Sequence, residues 1–177
     1  MRSESSQKPV SSSCTSDAED PDQPNPCYQG KAVVLCLGNK YRKDDGVGLR
    51  VAQALGALPL GTGVSVEACQ GVELSLLSRF QGAGRIVVVD AVKSGAEPGT
   101  VSCHQIALSE RPLFSLPGIH AMQVHDAFDV ARQTGLLTCP VTIIGIEPKD
   151  CGVGEELSPE VQDALPVLIR QVISKLS

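Results

Sequence analysis

The sequence predicts a three-layer αβα sandwich built around a mostly parallel, twisted sheet of five strands. Two observations lead to this prediction. Short aliphatic runs alternate along the chain with segments of helical period, and several of these runs are apolar at almost every position. Strands that are apolar throughout are typical of a parallel sheet that helices cover on both faces. A layered α/β domain is therefore expected.

Five runs are predicted to form the strands. The first, third and fifth are nearly all aliphatic, as the central strands of a parallel sheet should be. In chain order, the predicted strands are Ala32–Leu37, Val64–Ala68, Arg85–Val89, Thr100–Gln105 and Pro140–Ile146.

Helical spacing of apolar residues predicts four helices between and after these strands. Gly135 is expected to end the third, while Ser158 and Pro159 form a typical helix start, with Ser158 as the cap. The predicted helices cover Asp45–Ala57, Val72–Phe80, Ala121–Thr134, and the segment from Ser158 to the end of the chain.

The composition limits the domain count and the possible partners. With 177 residues, 42% of them hydrophobic, the chain can bury one substantial core. Residues 1–29 are rich in Ser, Pro, Asp, Glu and Gln and are predicted to be a disordered tail, which leaves one domain over residues 30–177. The net charge of −5 and the scattered Lys and Arg residues argue against nucleic acid and anionic membranes as partners. No stretch resembles a membrane span or a secretory signal, so we expect a cytoplasmic protein.

The segment GNKYRKDDGVG joins the first strand to the first helix and carries two adjacent carboxylates. Glycines at such a junction suggest a phosphate-binding loop, but Asp44 and Asp45 would repel an anion, and the GK[ST] ending is absent. Carboxylates at this position suit a cation or a proton instead. We interpret Asp44 as the helix cap and Asp45 as the ligand.

A second carboxylate, Asp90, ends the aliphatic run RIVVVD. If this strand lies parallel to the first, Asp90 and the loop that contains Asp45 meet at the same carboxyl edge of the sheet, where open α/β sheets bind ligands. The alternative is that Asp90 only caps the turn that follows it.

His120 precedes the helix that leads into the fifth strand. A helix that feeds a parallel strand begins at the carboxyl edge, so His120 is expected on the same rim as both aspartates. Two carboxylates and an imidazole suit a borderline metal such as nickel or zinc. His104 and His125 are interpreted as bystanders.

Two further groups have competing interpretations. Glu147 ends the fifth strand and either assists the site or binds backbone amides to shape its loop. The seven cysteines show no CxxC spacing and are interpreted as core residues and free thiols. Only Cys69 borders a predicted strand end, where a thiol nucleophile would be conceivable.

Taken together, these residues resemble the hydrogenase maturation peptidases, which remove a C-terminal extension from the large-subunit precursor of nickel-iron hydrogenases. The likeness runs from Val33 to Leu176. It rests on GNKYRKDDGVG, VVVDAV, His120, GIEP and LSPEV, in that order. One departure is EACQGVEL, where many members have a Gly-Thr-rich loop, which leaves open the hydrogenase that is processed.

The resemblance implies a phosphorylase/hydrolase-like fold and a peptidase whose metal-binding residues are Asp45, Asp90 and His120. It implies that the site recognises nickel carried by the precursor rather than a resident ion. Asp45 and Asp90 are the implied catalytic residues, either through metal-assisted hydrolysis or through an aspartic-type scheme in which Asp44 would also matter. The alternatives are a non-catalytic nickel-binding or precursor-binding chaperone and a small-molecule or phosphate-ligand hydrolase.

Overall fold

A computed structural model describes residues 25–72, 74–106 and 121–176. Its centre is a five-stranded sheet with the order β2-β1-β3-β5-β4. Neighbouring strands are parallel except at one edge, where β4 runs antiparallel to β5. The strands are β1 (Ala32–Leu37), β2 (Val64–Cys69), β3 (Arg85–Ala91), β4 (Val101–Ile106) and β5 (Val141–Ile146). The predicted mostly parallel sheet is confirmed, and each strand begins within one residue of its prediction.

Helices flank the strands in the predicted positions: α1 (Val47–Gly56), α2 (Leu74–Arg79), α3 (Ala121–Gln133) and α4 (Pro159–Ser174). The start of α1 differs from the prediction, because a 3-10 turn over Lys43–Gly46 precedes it. Asp45 therefore lies in this turn and not in the α-helix. In the described ranges, no helix combines the length and the apolar character needed to cross a bilayer.

The sheet separates two apolar clusters, which explains why its central strands are apolar at every position. Alternate residues of a strand point to opposite faces. Val33, Leu35 and Leu37 pack with α2 and α3, whereas Val34 and Cys36 pack with α1 and α4. The helices contribute Leu77, Phe128 and Ala131 on the first face and Val51, Leu55, Val161, Leu168 and Val172 on the second. This arrangement confirms the predicted three layers.

The described part of the predicted tail, residues 25–29, packs against the domain. Pro26–Tyr28 forms a 3-10 turn, and Tyr28 is 2% exposed. Its ring meets Phe80 edge-on with centroids 4.9 Å apart, a favourable aromatic geometry. The folded domain thus begins no later than Asn25, whereas residues 1–24 of the predicted tail lie outside the described residues.

Two glycines of the GNKYRKDDGVG segment allow the turn and α1 to pack tightly on the end of β1. A Cβ atom at Gly48 would lie 2.0 Å from the carbonyl oxygen of Leu37, and one at Gly38 would lie 2.1 Å from that of Asp45. No side chain fits at such distances. The glycines therefore serve close backbone packing, and this packing fixes Asp44 and Asp45 beside the carboxyl end of β1.

Candidate active site

Strand register brings two of the predicted site residues to one edge of the sheet. β1 and β3 are adjacent and parallel, with Cys36 opposite Val89. Asp90 follows Val89 in β3, and the turn that carries Asp45 follows the end of β1. Both carboxylates thus lie at the carboxyl edge, where parallel α/β sheets bind their ligands.

Asp90 is a buried carboxyl group with an altered proton affinity. It is 4% exposed, and its Oδ1 accepts a 2.8 Å hydrogen bond from the backbone N–H of Ala91. Burial raises the pKa of Asp90 to about 7, the Ala91 hydrogen bond opposes this rise, and the charge of Asp45 adds to it. The turn-capping interpretation accounts for the bond to Ala91 but does not explain why a carboxyl group is buried beside another one.

Asp45 is partly buried, and its Oδ2 atom is shielded from solvent. Its charge raises the pKa of Asp90, and it also raises the pKa of the Cys151 thiol, for which burial is the main cause. The turn that carries Asp45 packs against β3, the strand of Asp90, and the charge of Asp45 acts on both Asp90 and Cys151. The result is a pair of carboxyl groups at one mouth of the sheet.

Asp44 has a different role from the predicted helix cap, and this prediction was wrong. Its side chain is fully buried and accepts hydrogen bonds from the loop after β5 and the start of α4. The donors are the backbone N–H groups of Lys149 (2.9 Å), Asp150 (2.9 Å) and Ser158 (2.6 Å) and the Ser158 hydroxyl (2.9 Å). With its oxygens engaged by four donors, Asp44 organises the loop and is poorly suited to transfer protons.

The predicted cap of the last helix is correct in position but not in chemistry. Ser158 occupies the N-cap position of α4 and Pro159 the first turn. The Ser158 hydroxyl does not bond to the helix, however, because it donates to Asp44. The start of α4 is therefore tied to the turn that carries Asp45.

Glu147 binds backbone amides and shapes a loop, which was one of its two predicted roles. Its carboxylate accepts hydrogen bonds from the backbone N–H (2.7 Å) and hydroxyl (2.7 Å) of Ser94 and from the N–H of Gly95 (3.3 Å). Burial works against its ionisation, but these hydrogen bonds outweigh burial and keep the pKa of Glu147 below its ordinary value. Glu147 thus holds the loop that follows Asp90.

The described cysteines next to the site are protonated thiols. Burial raises the pKa of Cys69 to about 11, and the charges of Glu67 and Asp90 add to the rise. Burial likewise raises the pKa of Cys36 in β1 to about 12 and, at the opposite edge of the sheet just before β5, that of Cys139 to about 11. A nucleophilic cysteine needs a lowered pKa, so the thiol-nucleophile interpretation of Cys69 is disfavoured.

The three histidines have different outcomes. His120 lies outside the described residues, so its predicted place beside the aspartates stays a prediction. His104 is exposed on β4, opposite Ile143 in the middle of β5, away from the carboxyl edge. His125 falls within α3. Among the described residues, no three His, Cys, Asp or Glu side chains are grouped so that they could hold a metal ion.

Sequence reasoning passed over Lys93, which follows directly after VVVDAV. Hydrogen bonds from Lys43 and Gly152 lower the pKa of Asp150, and the charge of Lys93 lowers it further by a smaller amount. The same charge opposes the increase in the pKa of Cys151. Lys93 therefore adds a positive charge to the rim next to the carboxylates. The sequence feature that could have identified Lys93 is its position three residues after Asp90.

A helix-covered α/β sheet with carboxylates at its carboxyl edge is an arrangement found in enzymes that bind their ligands at that edge. The family model described as hydrogenase maturation protease matches residues 71–175. A hydrogenase expression/formation protein, HupD, from Rhodobacter capsulatus is 26% identical over 155 residues, which cover 82% of this chain and 71% of HupD.

Solved structures agree with this match. The hydrogenase maturating endopeptidase HybD from E. coli superposes with a TM-score of 0.71 at 21% identity, over 82% of this chain and 91% of HybD. The [NiFe] hydrogenase maturation protease HybD from Thermococcus kodakarensis gives 0.69 at 26% identity, over 83% and 99%. The chain belongs to the hydrogenase maturation protease family, and it is a peptidase.

Proposed function

We propose that this enzyme removes the C-terminal extension of a nickel-iron hydrogenase large-subunit precursor after nickel has been inserted. The observation that carries the proposal is that Asp45 and Asp90 both lie at the carboxyl edge of the sheet, with the Asp45 turn packed against β3, in a member of this peptidase family. In the proposal, these two carboxylates and His120 recognise the nickel ion that the precursor brings. The reaction itself is hydrolysis of one peptide bond.

The donor set supports nickel as the recognised ion. Carboxylate oxygens and an imidazole nitrogen suit a borderline divalent metal. The helix α3 begins at Ala121 and precedes β5, which runs parallel to β3, so the chain just before α3 is expected near the same edge. Without a cation, burial and the charge of Asp45 favour the protonated form of Asp90. An approaching divalent ion favours the ionised form, so recognition should release a proton.

The same pair supports a hydrolytic step. The pKa of Asp90 is about 7 in the metal-free enzyme, and the ionised form that nickel favours can act as a general base. Asp90 accepts a proton from the attacking water as the oxygen adds to the scissile carbonyl carbon. It returns that proton to the leaving amine as the carbon–nitrogen bond breaks, while Asp45 orients the water or the bound nickel. Asp44 takes no part in this proposal, because its oxygens already accept four hydrogen bonds.

A cytoplasmic location is part of the proposal. It is supported by the free thiols of the described cysteines, which fit a reducing compartment.

The test is cleavage of a nickel-loaded large-subunit precursor, followed by mass spectrometry of the product. We expect a shortened C-terminus with the intact enzyme and no shortening with Asp45→Ala or His120→Ala. The exposed Asp163 of α4 offers a control, since Asp163→Asn should cleave normally. A precursor that binds but keeps its extension would contradict the peptidase proposal and favour a maturation chaperone. Equal cleavage of the nickel-free precursor would contradict nickel recognition.

A further inference from the structure

A positively charged cavity lies beside the turn that carries the site aspartate. It has a volume of about 220 Å³ and is formed by this turn, the first half of α1 and the loop after β5. Gly46, the residue after Asp45, is part of its wall. Its charged and apolar lining includes Lys40, Lys43, Arg50, Glu155, Leu49 and Leu157. The cavity wall thus includes the residue that follows Asp45, although neither Asp45 nor Asp90 lines the cavity.

The charge of the cavity is opposite to that of the whole protein. Three of the lining side chains are cationic and one is acidic, although the chain has a net charge of −5. Two of the cations contact neutral groups, and the carboxylate of Glu155 also acts on Lys40, so the lining keeps an excess of positive charge without leaving every cation unpaired. Arg50 donates a 3.2 Å hydrogen bond to the backbone carbonyl of Glu155, and the Lys40 ammonium lies 4.6 Å from the centroid of the Tyr41 ring. The third, Lys43, forms an ion pair with Asp150.

Exposed apolar side chains flank the cavity on the two segments that form its rim. Tyr41 is 53% exposed and Val153 is 92% exposed. These segments are paired, since Gly154 donates a 2.9 Å backbone hydrogen bond to the carbonyl of Tyr41 and forms an isolated bridge with Arg42. The exposed tyrosine beside the charged cavity fits a protein-binding surface, where tyrosine is enriched, and Val153 adds apolar area.

We propose that this cavity binds an acidic side chain of the precursor close to the cleaved bond, an inference that rests on the proposed function. The carboxylate of the precursor pairs with Lys40 and Arg50, and its apolar neighbours contact Tyr41 and Val153. The cavity therefore selects substrates by charge, separately from the nickel ion.

The test compares steady-state cleavage of the nickel-loaded precursor by the wild type and by the double variant Lys40→Glu/Arg50→Glu. We expect KM to rise about five- to twentyfold, with kcat within about twofold, because the changed groups act on docking and not on the bond that breaks. The neutral pair Lys40→Gln/Arg50→Gln should raise KM less. Arg170→Glu, an exposed charge reversal on α4, is the matched control and should leave KM unchanged.

A binding measurement separates the failure of this inference from failure of the proposed function. A synthetic peptide that spans the cleavage site should bind the wild type more tightly than a copy with Asn and Gln in place of its Asp and Glu. Equal binding, or an unchanged KM in the charge-reversed enzyme, overturns the inference while cleavage by the wild type leaves the function intact. If circular dichroism shows that the reversed variant does not fold, the neutral pair decides. In that case the inference requires that the KM of the Lys40→Gln/Arg50→Gln variant depends less on salt concentration than the KM of the wild type does.

Discussion

Two neighbouring residues of one 3-10 turn, Asp44 and Asp45, have opposite surroundings. Asp44 is fully buried and accepts four hydrogen bonds from the loop after β5 and the start of α4. Asp45 lies partly exposed beside Asp90, whose pKa rises through burial and through the charge of Asp45. Asp44 accepts hydrogen bonds from several donors, whereas the charge of Asp45 acts on a second carboxyl group.

This difference separates a residue that builds the site from one that acts in it. A buried carboxylate that accepts hydrogen bonds from two distant segments holds those segments together. Two carboxyl groups placed close together are costly unless a proton or a cation lies between them. Asp44 should therefore contribute mainly to stability, and the pair Asp45 and Asp90 mainly to activity.

The largest expected effect is the loss of activity in Asp45→Asn. Removing the charge should lower kcat/KM for the nickel-loaded precursor by roughly 10²–10⁴-fold, the range typical of lost acid-base or ligand groups. Folding should be retained, with a free energy of unfolding within about 1 kcal/mol of the wild type. Cleavage assays and urea unfolding monitored by circular dichroism measure the two quantities. A large loss of stability in Asp45→Asn would contradict the difference in role between Asp45 and Asp44.

The converse variant, Asp44→Asn, should reduce stability strongly. An amide group replaces an acceptor oxygen with a donor, so some of the four donors lose their partner inside the protein. We expect a loss on the order of 2–4 kcal/mol in the free energy of unfolding. Urea denaturation measures it, with Asp163→Asn as the exposed control. A stability equal to that of the wild type would show that the four hydrogen bonds contribute little.

Asp90→Asn should alter how stability depends on pH. The pKa of Asp90 is about 7 in the folded protein, against an ordinary value of 3.8. Between these values the native state binds more protons than the unfolded chain, so stability falls as the pH rises. The variant should lack this dependence and be more stable than the metal-free wild type at alkaline pH by on the order of 1–3 kcal/mol. Thermal unfolding across the pH range tests this. A difference in stability between the variant and the wild type that does not shrink toward acidic pH would contradict the raised pKa of Asp90.

The smallest effect is expected from Cys69→Ala. Because the pKa of this thiol is about 11, it is protonated at neutral pH and takes no part in the proposed chemistry. The rate of precursor cleavage should stay within about twofold of the wild type. Rapid reaction of Cys69 with iodoacetamide accompanied by loss of activity would instead indicate a reactive thiol near the carboxylate pair.

The sheet could be predicted well because its signal is local. The run from Ala32 to Leu37 is apolar at each position, and the structure gives β1 these same bounds. The shared edge for Asp45 and Asp90 also followed from sequence, because parallel neighbours end on the same side. Helix starts were less certain, and the 3-10 turn before α1 arises from tight packing at Gly38 and Gly48 that no local pattern reveals.

The role of Asp44 could not be predicted, because its partners are distant in sequence. Capping was the simplest local use for an aspartate before a helix, but its donors belong to residues 149, 150 and 158. Ser158 was predicted as a cap for the same reason, but its hydroxyl donates a hydrogen bond to Asp44, more than a hundred residues away in sequence. Hydrogen bonds of such long range depend on the assembled fold. For His120, which is outside the described residues, the predicted position still awaits measurement.

The contacts of Asp44 have a consequence for how the enzyme is made. Its four donors are supplied 105 to 114 residues later in the chain. During synthesis on the ribosome, the turn that carries Asp45 is complete long before these donors exist. The rim of the peptidase site is therefore assembled only after residues 149–158 have emerged, so a nascent chain that lacks them should be inactive.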